Sequence, residues 1–81
     1  MTTDEIIEQV NEIFVEVLEN QAIRINRETT AADVPEWDSL NHIMLVVEIE
    51  KKFKIRFSSG EVGGFRNVGE MCEAIRAKMQ A

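Results

Sequence analysis

Trp37-Asp38-Ser39-Leu40-Asn41-His42-Ile43-Met44-Leu45-Val46-Val47-Glu48-Ile49-Glu50-Lys51-Lys52-Phe53 is the stretch that decides the fold. Asp38 and Ser39 are both side chains that accept hydrogen bonds from the free N–H groups of a helix start. No Gly or Pro follows before Phe53, so the run predicts a helix from Leu40 to about that residue. Lys51, Lys52 and Lys54 suit the negative pole of the helix dipole at its end. On a wheel of about 100° per residue, Ile43, Leu45, Val46, Ile49 and Phe53 share a wide apolar face suited to a core. Leu40, Met44 and Val47 fall on the opposite side among Asn41, Glu48 and Lys51, at the i, i+4, i+7 spacing of helix-groove recognition.

Upstream, Thr2 and Glu5 have capping-box spacing. Behind them Ile6, Ile7, Val10, Ile13, Phe14, Val17 and Leu18 recur at helical period. Residues 19–37 lose that period and read as a long ordered loop from which Ile23, Ile25 and Val34 tuck against the core. A loop this long in a small domain is usually functional. Downstream, Ser58 and Glu61 repeat the capping-box form, but Gly63-Gly64 follow within a turn, and each interior Gly costs about 1 kcal/mol relative to Ala. A third helix is therefore expected to be short and weak. Asn67 caps a last helix carrying Val68, Met71, Cys72, Ile75 and Met79 on one face. The expectation is an all-α four-helix bundle in one domain, residues 1–81, with three long helices, a weak third one and a long first loop.

The chain has 81 residues, four Gly and one Pro. That length supports one modest core and leaves no room for a scaffold plus a deep catalytic cleft. The net charge of −6 argues against nucleic-acid binding, which calls for a basic face. Ten acidic residues precede Ser39 against only Arg24 and Arg27, so cationic protein surfaces are the better partners. With one cysteine, Cys72, and one histidine, His42, no disulfide or metal cluster is expected. Cys72 reads as a small buried apolar residue. The acidic start lacks the pattern of an export signal, and no apolar run spans a bilayer; a cytoplasmic monomer is the expectation.

Trp37-Asp38-Ser39-Leu40, placed at a helix start after a long loop, resembles the Asp-Ser-Leu motif of the acyl carrier proteins. The resemblance runs without a gap from the motif to the end of the chain: Ile43, Leu45, Val46, Ile49 and Phe53 stand at family core positions, and Phe57, the Ser58 capping turn, Phe65, Val68 and Ile75 continue it. The first helix and loop match in length and pattern only. It implies a carrier and not an enzyme: a phosphopantetheinyl transferase moves 4′-phosphopantetheine from coenzyme A onto Ser39, Asp38 helps dock that transferase, and the arm holds acyl groups as thioesters for acyl-loading and acyl-transferring enzymes. Catalysis by His42, three residues beyond Ser39, is disfavoured against a partly buried helix position, and Trp37 is expected to pin the loop.

Carriers of housekeeping fatty acid synthesis usually place acids two and five residues after the motif serine and late in the helix. Here Asn41, Met44 and Lys51-Lys52 stand there. A surface without those acids attracts basic docking patches less strongly, which points to a dedicated carrier of a secondary pathway. The expected partner surface is Leu40, Asn41, Met44, Val47 and Glu48. Two alternatives stay open at this point: a peptidyl or aminoacyl carrier using the same serine, and an unmodified helical interaction module.

Overall fold

A computed structural model describes residues 1–79. It contains α1 (Thr3–Leu18), a 3-10 turn (Ala31–Asp33), α2 (Ser39–Phe53), α3 (Ser59–Val62) and α4 (Val68–Met79). The four expected helices are present, and the third is a single turn. Among the described residues no helix is long and apolar enough to cross a membrane.

Each start follows from its cap. Thr2 accepts from Glu5 N–H, and the Glu5 carboxylate accepts from Thr2 N–H at 2.8 Å. Ser58 and Glu61 make the same reciprocal pair ahead of α3. Both α1 and α2 end on a left-handed non-glycine residue, Glu19 (φ 53°) and Lys54 (φ 57°). Their N–H groups bond back to the carbonyls of Val15 and Glu50.

α1 packs on both α2 and α4. Ile6, Val10 and Phe14 from α1, Leu45 and Ile49 from α2, and Val68, Met71, Cys72 and Ile75 from α4 are wholly buried. At about 25 cal/mol per Å² of apolar surface removed from water, this shared core is the main stabilising term. Burial pushes the Cys72 thiol up to about 12, with the Glu73 carboxylate adding to the shift, so Cys72 is an inert core residue.

The loop at 19–38 is ordered because its polar groups find partners. Ile23 and Val34 are buried and Ile25 is partly so, as expected. Ile25 N–H donates to Asn11 at 2.9 Å. Arg27 reaches Asp4 at 3.3 Å and Glu73 at 3.7 Å, and its carbonyl accepts from Gly69 N–H at 2.9 Å. A Cβ on Gly69 would stand 2.9 Å from that same carbonyl oxygen, so only glycine permits this approach of loop to helix.

Two expected core residues lie outside. Ile43 is 58% exposed: α3 is only four residues long, and its Val62, with Trp37 and Phe65, stands across a surface groove from Ile43 instead of closing over it. Met79 keeps the α4 spacing but is 38% exposed, because a terminal turn has neighbours on one side only.

α3 is the least anchored helix, and its capping box depends on charge. The Ser58 N–H, and behind it the Lys78 ammonium at 2.9 Å, hold the Glu61 carboxyl below the ordinary carboxylate range. That support is present at neutral pH and is lost as pH falls through the lowered value. Hydrogen-exchange protection at residues 60–65 is expected to be the lowest of the helical segments and to drop further in acid, before the α2 interior is affected. Protection equal to that of Leu45–Ile49 at all pH values would contradict this.

Candidate functional site

Asp38 is the residue before α2, in extended conformation, and its carboxylate accepts from Asn41 N–H at 2.8 Å. It is the cap; Ser39, the other candidate, is the first helical residue. This division of labour leaves Ser39 exposed, its hydroxyl free of any hydrogen bond among the described residues. The N–H groups of Ser39 and Leu40 likewise have no protein acceptor there. A free hydroxyl thus stands beside two unsatisfied donors at the positive end of a helix dipole, a setting that favours an anionic substituent.

Trp37 fixes the loop at this point. Its indole is 8% exposed and meets Phe14 edge-on, with centroids 4.9 Å apart at 83°. Its Nε1–H donates to His42 Nδ1 at 2.9 Å. The other ring nitrogen of His42 lies 2.7 Å from the Val62 carbonyl oxygen. Because the indole N–H only donates and the carbonyl only accepts, the neutral ring carries its proton on Nε2. Both imidazole nitrogens are occupied, so His42 has no lone pair with which to deprotonate Ser39. It is a half-buried structural residue, as expected.

Ser39 opens onto a groove of about 560 Å³ between the loop, α2 and the chain after α3. Trp37, Ile43, Val62 and Phe65 form its apolar walls, and Arg66 stands on its rim with Asp38. Arg66 forms no ion pair among the described residues. Val62, Phe65 and Arg66 were not legible as site residues, since they reach Ser39 only through the packing of α3. Ile43, assigned to the core from its wheel position, borders this groove instead.

The remaining α2 residues divide. Leu40, Met44 and Val47 are 69%, 47% and 41% exposed; with Ile43 they form one continuous apolar stripe leading away from Ser39. Glu48 beside them is exposed and 3.7 Å from Lys51. Asn41 is turned inward, its amide donating to the Glu36 carbonyl at 2.8 Å. Among the described residues no group of His, Cys, Asp and Glu side chains is gathered to hold a metal ion.

Residues 8–75 match the family profile described as the phosphopantetheine attachment site. The fold is similar to the solution NMR structure of holo acyl carrier protein from Geobacter metallireducens, with a TM-score of 0.85, 35% identity, and coverage of 91% of this chain and 85% of that one. The chain therefore belongs to the phosphopantetheine-binding carrier family. More narrowly, it is a carrier protein of the acyl carrier type, which holds and presents its cargo without catalysing its reactions, and its cofactor is covalently attached 4′-phosphopantetheine.

The cap predicts a stability difference that is separate from carrier function. Asp38→Ala is expected to lower unfolding free energy by about 1 kcal/mol, whereas Asp38→Asn, which keeps an acceptor, changes it by a few tenths. Urea denaturation of the two variants checks this, and equal stabilities would show that the cap contributes nothing.

Proposed function

We propose that Ser39 is the attachment point of the 4′-phosphopantetheine arm and that the protein carries acyl groups for a dedicated secondary pathway rather than for housekeeping fatty acid synthesis. One observation carries the first part: the Ser39 hydroxyl is exposed, unbonded and set beside unsatisfied backbone donors at the mouth of an apolar groove. The residues fit the group. The N–H groups of Ser39 and Leu40 suit a phosphodiester, Arg66 supplies the cation on the groove rim, and Trp37, Val62 and Phe65 offer apolar wall to the arm. When bound, the arm supplies a terminal thiol that holds an acyl group as a thioester.

Ser39 has no base of its own, so its activation falls to a phosphopantetheinyl transferase and that enzyme's metal ion. The transferase leaves the phosphopantetheinyl group of coenzyme A on Ser39 Oγ, releases the adenosine bisphosphate and takes up the hydroxyl proton. Asp38, exposed next to Ser39, is its charged docking contact. Intact-mass measurement after incubation with coenzyme A and a broad-specificity transferase is expected to show one added phosphopantetheine, absent in Ser39→Ala. No addition to the wild-type chain, or addition that survives the substitution, would overturn the assignment.

The pathway assignment rests on α2. Its exposed face is apolar where fatty acid carriers place acids, with Met44 among Leu40, Val47 and Glu48, and its end is basic at Lys51-Lys52. Met is flexible and polarisable, which suits an adaptable contact, and the stripe begins at the residue after Ser39, which enzymes using the arm must approach. Met44→Glu is expected to leave the melting temperature nearly unchanged while slowing cargo loading by the cognate enzyme severalfold, and to improve recognition by fatty acid enzymes. A large fall in melting temperature, or an unchanged loading rate with the fold intact, would show that partners do not use this stripe.

A further inference from the structure

His42 is one helical turn from Ser39 and spans three parts of the molecule. Its Nδ1 accepts from the buried Trp37 indole at 2.9 Å, and its Nε2–H reaches the Val62 carbonyl at 2.7 Å. The two rings also lie nearly parallel, with centroids 5.9 Å apart at 27°. Trp37 is itself immobilised on Phe14 of α1. Val62 is the last residue of α3, so the imidazole ties the end of that single turn, through the indole, to the core of the bundle.

α3 has few other attachments. Lys78 holds Glu61 at 2.9 Å, and Phe65 meets Phe57 edge-on at 5.3 Å just beyond the helix. Both contacts lie on the side of α4 and the preceding loop. Towards α2, on the wall of the groove that begins at Ser39, the hydrogen bond to Val62 is the polar tie that the structure shows. Inside that wall Phe14, Leu45, Ile49, Met71 and Ile75 are each fully buried. An apolar group on the arm has the surface groove to lie in, and Val62 of α3 stands in the wall between that groove and the core.

We propose that His42 is a positioning residue that latches α3 to the start of α2, and that this latch controls the passage of cargo from the groove beside Ser39 into the bundle. The part concerning cargo rests on Ser39 bearing the arm; the latch itself does not. Opening requires the Nε2–H···O bond to break while Trp37 keeps the ring in place, so the gate turns on a single bond whose loss leaves the indole anchor intact. Glutamine can reproduce both functions of the ring, with an amide oxygen for the indole and an N–H for the carbonyl. Phenylalanine is close in size and reproduces neither.

Three readouts test this. In the unmodified wild-type protein, ring nitrogen NMR shifts are expected to show the Nε2–H tautomer; an Nδ1–H ring would overturn the proposal whatever the variants do. Amide exchange at Val62, Gly63 and Gly64 is expected to speed up about tenfold or more in His42→Phe and to stay within about threefold of wild type in His42→Gln. Equal exchange in all three proteins would overturn the latch. With an octanoyl thioester on the arm, hydroxylamine is expected to cleave the cargo severalfold more slowly from His42→Phe than from wild type, because an unlatched α3 admits the chain; equal or faster cleavage would overturn control of cargo. If wild-type Ser39 accepts no arm, the attachment assignment fails, and the first two readouts still decide the latch.

Discussion

The buried indole of Trp37 is the contact on which the site depends. It closes the long loop against Phe14 of α1, donates its only N–H to His42 of α2, and sets the residue immediately before the cap Asp38. A polar N–H buried without an acceptor costs about 1–3 kcal/mol, so the pairing with His42 fixes the rotation of the first turn of α2 as well as the end of the loop. Ser39 is left free because its neighbours are engaged: the Asp38 carboxylate accepts from Asn41 N–H, and the His42 ring is held between Trp37 and Val62.

From that point the molecule separates rigidity from access. α1, α2 and α4 share a core in which nine side chains are essentially inaccessible, and the loop is bound to α1 and α4 by Asn11, Arg27 and Gly69. α3, one turn long, forms the remaining wall of the groove. The element beside Ser39 is thus held by few bonds and opens at low cost, while α2 is fixed by its share of the core. The charge is unbalanced too: acids concentrate before Ser39, while α2 has an exposed apolar stripe and a basic end.

Much of this was legible from residues alone. The Thr2–Glu5 and Ser58–Glu61 pairs announce helix starts because capping is local chemistry, and the apolar period of α1 needs no knowledge of what it packs against. Asp38-Ser39 marked the junction, although two possible caps were readable and only the structure shows that Asp38 takes the role and frees Ser39. Ile43 misled because a wheel position reports the face of a helix and not the length of its neighbour; the face is core for Leu45 and Ile49 but opens where α3 stops short. The Val62 carbonyl was beyond sequence reasoning, since a backbone acceptor carries no signature in residue type. His42 itself drew notice only by its distance from Ser39.

Ser39, the groove and the α3 wall are expected to respond as one site. Comparison of amide NMR shifts between the unmodified protein and the same chain bearing the arm addresses that most directly. Shift changes are expected at residues 37–43 and, across the groove, at residues 62–66, with the α1 core unmoved. Changes confined to the immediate neighbours of Ser39, with residues 62–66 unaffected, would contradict it.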